Sequence, residues 1–589
     1  MKPFEFKPHY ALELHRQKQY LELTKELAGF INFFVNNAVH LESPELTNIL
    51  EITSTILFNT LATEDYIIPE DYVLTFVTAA PFLSHLASIT GHKTTDGYLH
   101  KVLLQKNNTP KILALYNFRC KTHIPLEALF KASPSLATYW WAVTLDQSRA
   151  VTEANQNKLE SILGDEGAIN GFNIQATYYT HIDWITHPAF SVCYIKPELE
   201  KKVKEAVNAE LRKVTIKKKE GIQYNMKKIL VVSHSFRKEH AVYKSIAEYF
   251  KPLKGHYHLT LLHLNLSANE SDKLMDRELF DEIHYFMGKD GKLPEAIKLL
   301  EEGDHGVIIY PDVSLAFNTE VLANTRLAPI QITTYGHPVS THSSEIDYFI
   351  GGADTETPET YGNYSERLIL LPGSGNAPVR VDHKITMFEK GMYRIGCSWG
   401  YIKLNYAMIK ILKEIQKKAD KPFRFAISGI YGQSLALLAI KRELTEELGD
   451  NFDITPNTDR VNYMKMIEST KFGLDSYPFG GFNRVLDSLL CHKPILVLQG
   501  DRAYNRMHAA YLRNLGLSEL VCNSPEEMVE KAVYMLENNE YRISLIEKLE
   551  KMDFFGIVKT DYFRRAIDFV IDNHNALQVF KNKKPIFIK

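Results

Sequence analysis

The sequence predicts an α/β protein in which a helical segment precedes two consecutive α/β halves. Three observations carry that expectation. Apolar residues recur at three- and four-residue spacing through the first 225 positions. At Met226 the texture changes to short, wholly apolar runs alternating with helical stretches. The alternation pauses over Leu371–Phe388, rich in Pro, Gly and Ser, and then starts again.

In chain order, Ala11–His40, Leu46–Leu61 and Asp71–Ser88 place leucines and aromatics on one helical face. Trp140, Trp141 and the aromatics of Tyr178–Trp184 are expected in the core of this all-α domain, residues 1–225. Pro197–Lys213 reads as a charged helix, and Lys217–Glu220 as a solvated connector. The first α/β half, residues 226–388, opens with NMKKILVVSHSF, a buried parallel strand, and continues with strands near Tyr257–Leu262, Gly306–Tyr310, Pro329–Thr334 and Tyr348–Gly351. The second half, residues 389–589, repeats the pattern at Tyr393–Cys397, Phe423–Ser428, Phe452–Thr455, Lys471–Asp475 and Pro494–Leu498. Helices Pro525–Glu537 and Thr560–His574 close it. Two such halves bring their strand carboxyl ends around a shared cleft, where ligands of open α/β sheets bind.

Composition narrows the class. With 45% apolar and 24% charged residues the chain is an ordinary globular protein, and a formal net charge of −2 argues against a whole-molecule role in nucleic-acid binding. Five widely spaced cysteines, without a CxxC pair, favour reduced thiols over disulfides or structural zinc. The first residues lack a signal-peptide core, and no apolar run approaches the length needed to cross a bilayer, so a cytoplasmic location is expected.

The most informative stretch is Lys471–Leu498, KFGLDSYPFGGFNRVLDSLLCHKPILVL: strand, glycine turn, helix, strand. Gly480 and Gly481 permit close backbone approach to a ligand, and Asn483 reads as the N-cap of a helix Arg484–His492. Free amide N–H groups and the helix dipole would then face a phosphate. Asp487, one turn further on, suits sugar hydroxyls; the competing reading is an ordinary βαβ turn with a solvated carboxylate. In CSWGYIKLN, Lys403 is the basic residue nearest a second strand end. Histidines gather at two strand ends of the first half: His234 and His240 in SHSFRKEH, His337 and His342 in GHPVSTHS. Their spacings, HxxxxxH and HxxxxH, do not suit zinc, so no metal is expected. GxxxxGK[ST], GxGxxG and GxSxG are all absent. Taken together, these residues suit sugar transfer from a nucleoside diphosphate.

ANTRLAPIQ (Ala323–Gln331), GHPVSTHS, Lys403–Asn405 and YPFGG…D (Tyr477–Asp487) resemble the cytoplasmic bacterial adhesin N-glycosyltransferases of glycosyltransferase family 41, relatives of the O-linked N-acetylglucosamine transferases. The resemblance implies a GT-B fold, two Rossmann-like domains facing a cleft, behind an all-α N-terminal domain. It implies UDP-glucose or UDP-galactose as donor, no metal or other cofactor, and transfer to asparagine in Asn-X-Ser/Thr sequons of an adhesin-type acceptor. It assigns Lys403 to the diphosphate, Asp487 to the ribose, Asn483 to the phosphate loop, and His240 and His342 to the catalytic cleft. His337, Gly480 and Gly481 join the donor-binding set. Phe482 and Arg484 depart from the family's small polar residue and glycine around that asparagine. A family glutamine falls on Gly429, or on Gln433 if residues are inserted, and TPNTDRVNY (Thr455–Tyr463) lacks an expected histidine. These departures leave open an enzyme that extends protein-linked glucose, or a non-catalytic UDP-sugar-binding protein.

Overall fold

The computed structural model describes residues 6–37, 44–106, 108–173, 193–213, 216–265, 274–285, 293–386, 393–430, 435–456, 458–580 and 583–589. Tyr178–Trp184 and Gln433 lie outside them. Two parallel sheets follow an all-helical region. The first runs β14-β7-β6-β5-β4-β1-β2-β3. Its strands are β1 (Asn225–Ser233), β2 (His258–His263), β3 (Glu282–Tyr285), β4 (His305–Tyr310), β5 (Ile330–Thr334), β6 (Tyr348–Gly352), β7 (Arg367–Leu371) and β14 (Ile586–Phe587). The second runs β10-β9-β8-β11-β12-β13, from β8 (Tyr393–Cys397), β9 (Phe423–Ile430), β10 (Phe452–Pro456), β11 (Phe472–Leu474), β12 (Ile495–Leu498) and β13 (Val521–Cys522).

The central strands β4, β5, β6 and β7 are buried along their whole length, both faces covered as in parallel sheets. Strand β1 starts exposed and becomes buried from Ile229, where β2 and β4 flank it. Both sheets reverse strand order beside their first strand, β1 or β8, opening a crevice at the carboxyl ends there.

Two expectations are corrected. Asp71–Ser88 is not one helix: it divides into Glu70–Thr78 and Ala80–Ile89, bent by 59°. Pro81 sits in the first turn of the second piece, where its missing N–H costs nothing. The assignment of residues 389–589 to the second half does not extend to the end of the chain. Helix Asp561–Val579 returns to the first half, with Phe563 stacked on Tyr249 at 5.1 Å, and β14 pairs parallel with β7. Among the described residues no single helix is long and apolar enough to cross a membrane.

The helical region holds both halves. Trp140 and Trp141 are fully buried in its core, as expected. Toward the second half, Arg119 Nε donates to Glu443 Oε1 at 2.6 Å, in a nearly dry contact joined by Asn155 Nδ2 at 3.1 Å. Toward the first half, Lys204 and Asn208 donate to the carbonyls of Ser340 and Thr341. The loop carrying GHPVSTHS is thus fixed from behind by Pro197–Leu211. The five cysteines are free thiols.

Candidate functional site

Four strand ends converge on a cavity of about 460 Å³. His234 and Ser235 follow β1, Gly336–Pro338 follow β5, Ile402 and Lys403 follow β8, and Phe479–Arg484 follow β11. Among the described residues, none that lines it is Asp or Glu.

The glycine turn works differently from the sequence expectation. Helix Phe482–Leu490 is capped by Gly481, and Asn483 is its second residue, not its cap. The amides of the two glycines are occupied: Gly480 N–H donates to Tyr504 O at 3.0 Å, and Gly481 N–H to both Asp475 oxygens at 3.1 Å. Gly480 is required for shape, because a Cβ there would lie 1.9 Å from Cε1 of the buried His508. The amides left facing the cavity by helix geometry are those of Phe482 and Asn483 at the positive end of the helix. Asn483 Nδ2 crosses the cleft and donates to Ala241 O at 3.1 Å, closing the second half on the first.

Lys403 ends the turn Tyr401–Lys403, and its ammonium donates to Gly480 O at 2.6 Å while standing 5.2 Å over the Phe479 ring. Burial, and then the Arg484 guanidinium beside it, push its pKa down to about 7. Arg484, noted in the sequence only as a departure from the resembled pattern, was not given a site role there and stands beside Lys403 in this cavity. Gly400 and Gly429, with φ of 72° and 85°, form the slot that admits it: a Cβ on either would lie 2.9 or 3.3 Å from Arg484 Nη2. Gly400, Gly429 and Arg484 are therefore spatially complementary. Arg484 Nη1 is buried without a hydrogen-bond partner among the described residues. Two cations and two helix amides around a cavity without carboxylates suit a doubly charged phosphate ligand.

The histidines separate by hydrogen bonding. His240 caps helix Ala241–Ile246, its Nδ1 accepting the Val242 N–H at 3.2 Å. In the neutral ring the proton then sits on Nε2, which makes that nitrogen a donor. Burial, reinforced by Arg237, pushes its pKa down to about 4, so it stays neutral at physiological pH. His337 has the opposite tautomer: Nδ1–H donates to Val313 O at 2.5 Å, leaving the lone pair of the neutral ring on Nε2. Buried Asp312, which the sequence reading did not single out, fixes the β1 loop. Its Oδ2 accepts from Ser233 Oγ at 2.9 Å and Ser235 N at 2.7 Å, and burial raises its pKa to about 6. His342 does not join this group. It lines a separate cavity of about 260 Å³ on the far side of Pro338.

Asp487 and Asn483 share one helix face, as expected, and line an adjoining cavity of about 360 Å³ together with Arg460. Asn483 borders both this cavity and the larger one. Asp487 is not solvated: Arg460 Nη1 and Nη2 each donate to one of its oxygens at 2.6 Å. Each oxygen keeps a second lone pair, so the held carboxylate can still accept two hydroxyls. At the edge of this cavity His383, Glu468 and Cys491 bring ligand atoms within 4.8 Å of one another. Glu468 already accepts from His383 Nε2 at 2.6 Å and from Thr386 N and Oγ1 at 3.1 Å. The group is an internally satisfied hydrogen-bond cluster.

Two Rossmann-like halves facing a cleft, with a C-terminal helix that crosses back, define the GT-B architecture. The same fold is found in a variant O-GlcNAc transferase of Thermobaculum terrenum, which superposes with a TM-score of 0.56 at 14% identity, over 97% of this chain and 96% of that one. In sequence the chain is similar to two proteins named UDP-glucose:protein N-beta-glucosyltransferase, both from Actinobacillus pleuropneumoniae. The serotype 5b protein is 27% identical over 335 residues, 55% of this chain and 53% of the relative. The serotype 7 protein is 29% identical over 279 residues, 46% of this chain and 44% of the relative. The chain thus spans about half the length of these curated relatives. No family model matches it.

Proposed function

We propose that the chain is a cytoplasmic, UDP-glucose-dependent protein glucosyltransferase that glucosylates asparagine in Asn-X-Ser/Thr sequons of adhesin-type proteins. The observation that carries this reading is the acid-free cavity holding Lys403, Arg484 and the start of helix Phe482–Leu490, beside the Asp487 pocket. The names of the two Actinobacillus relatives support the donor and the protein acceptor.

In this reading Asp487, steadied by Arg460, accepts the ribose hydroxyls in the smaller cavity, and the diphosphate passes Asn483 into the larger one. Transfer breaks the bond from the glucose anomeric carbon to the phosphate oxygen and forms one to the asparagine nitrogen. The leaving UDP keeps the bonding pair, and the amide loses a proton. Lys403, Arg484 and the amides of Phe482 and Asn483 meet the charge that grows on the diphosphate; one desolvated contact of this kind contributes about 2–4 kcal/mol. His240, with its proton on Nε2, acts as a hydrogen-bond donor to a developing anion. His337, with its lone pair on Nε2, is the ring able to accept a proton. Because the chain's own cations supply the positive charge, transfer is expected to persist in a chelator.

A second reading, extension of an existing protein-linked glucose, is favoured by one feature: Arg484 and Gly429 reshape the wall where the family carries glycine and glutamine. Intact-mass analysis with UDP-glucose, in EDTA, on a sequon peptide and on its glucosylated form tests both. Gain of one hexose by the bare peptide supports initiation. Gain only by the glucosylated peptide replaces it with extension. UDP binding without transfer to either peptide sinks both in favour of a binding protein. UDP-galactose run in parallel fixes the sugar.

A further inference from the structure

The cavity of about 260 Å³ that receives His342 is built by three separate parts of the chain. Helix Pro197–Leu211 contributes Glu198, Glu200, Lys201 and Lys204, the GHPVSTHS loop contributes Ser340 and His342, and the second half contributes Arg502 and Tyr504. It is one partition away from the larger cavity. Pro338 lines both, and Tyr504 on this side stacks on Phe479 on the other, ring centroids 5.3 Å apart and 20° from parallel.

Two polar atoms here are buried with no hydrogen-bond partner among the described residues, Arg502 Nε and His342 Nδ1. Leaving such atoms unpaired costs about 1–3 kcal/mol each, so they mark a place for a ligand group. His342 is held there at a positive φ of 52°, which a non-glycine residue adopts at a cost. Lys204 is buried, with its ammonium 3.1 Å from Ser340 O and 3.6 Å from Glu200. Glu200 is thereby neutralised, and Glu198 stands exposed in the first turn of the helix. Lys201 and Arg502 complete the cationic lining; Lys201 stands 3.9 Å from Glu205, both more than half exposed.

We propose that this junction cavity seats a carboxylate-bearing segment of the protein acceptor, an acidic side chain a few residues from the one that receives the sugar. The assignment rests on the glucosyl-transfer reading for the word acceptor, and on the cavity itself for the charge. A carboxylate between Arg502 and His342 takes a hydrogen bond from each and a longer-range attraction from Lys201.

The test uses the full chain saturated with UDP and fluorescent peptides that share one Asn-X-Thr core and differ in two flanking positions, both Asp or both Lys. Anisotropy should show the acidic peptide bound roughly tenfold tighter, the size of one charge-assisted hydrogen bond. Arg502→Gln with Lys201→Gln should close that gap, and Arg502→Lys should restore part of it, with UDP affinity unchanged throughout. Equal affinity of the two peptides for the natural chain overturns the assignment, whether or not the variants fold. So does a preference that survives in the double variant. Selective binding of the acidic peptide, with no transfer once UDP-glucose replaces UDP, upholds the pocket and overturns the reaction instead.

Discussion

The Lys403 ammonium is the point where the donor site is most sensitive to pH. Its pKa of about 7 reflects burial and the neighbouring Arg484, and the negative charge of a diphosphate drawn against it outweighs both influences. The pKa in the complex is therefore higher than in the free site. The sign follows: donor affinity is fully developed below pH 7 and is lost as pH rises through the free-site value toward the complex value. Each unit in that window is tenfold, so affinity should fall about 30-fold between pH 6 and 8.5, or about 2 kcal/mol. UDP-glucose is the right probe, because its diphosphate is esterified at both ends and lacks the second ionisation that a terminal phosphate shows near pH 6. Calorimetry in two buffers of different ionisation enthalpy should detect proton uptake of most of one equivalent at pH 7.5. Lys403→Met should bind more weakly and without the slope. A flat profile for the natural chain, or the same slope in Lys403→Met, refutes the argument that this lysine meets the diphosphate.

Three further outcomes are expected. Arg460→Met frees Asp487 from its two 2.6 Å hydrogen bonds, so UDP affinity should drop about tenfold. The preference for UDP over 2′-deoxy-UDP should shrink at the same time, and an unchanged preference would place the ribose elsewhere. Gly480→Ala puts a methyl 1.9 Å from His508 Cε1; thermal and urea unfolding should show a loss of about 1–3 kcal/mol together with weakened UDP binding. Glu443→Gln leaves the buried Arg119 charge uncompensated between the helical region and the second half. A loss of about 3–5 kcal/mol is expected, read as early proteolysis between these parts; unaltered unfolding would show that the pair is wetter than its burial implies.

Strands whose two faces are both covered were the most legible, because burial leaves its signature along the run; β4 and β12, buried at every residue, were placed from apolar runs alone. Three of the four edge strands and the inner strand β7 were not. Glu282–Tyr285 alternates polar and apolar over four residues, Val521–Cys522 and Ile586–Phe587 are two residues each, and Arg367–Leu371 merges with the Pro- and Gly-rich stretch that follows. The break at Ala79 was visible as Pro81, yet the uninterrupted apolar spacing concealed it. At the site, Lys403, Asp487 and the glycine turn could be found because strand–turn–helix grammar places them. Arg460 could not: nothing local ties it to a carboxylate 27 positions later. Arg484 looked like a departure until Gly400 and Gly429 were seen to make its slot.

By itself the sequence determined the order of helical region and paired α/β halves, and the residue types gathered at their strand ends. Those follow from periodicity and turn chemistry, which act within a dozen residues. Only the tertiary structure decided which nitrogen of each histidine carries the proton, which amides at the glycine turn are already taken, and that His342 belongs to a different cavity. Each of those depends on a partner from a distant strand or helix, such as the Tyr504 carbonyl for Gly480 and the Val313 carbonyl for His337. A hydrogen bond is decided by distance and direction in space, and linear order carries neither.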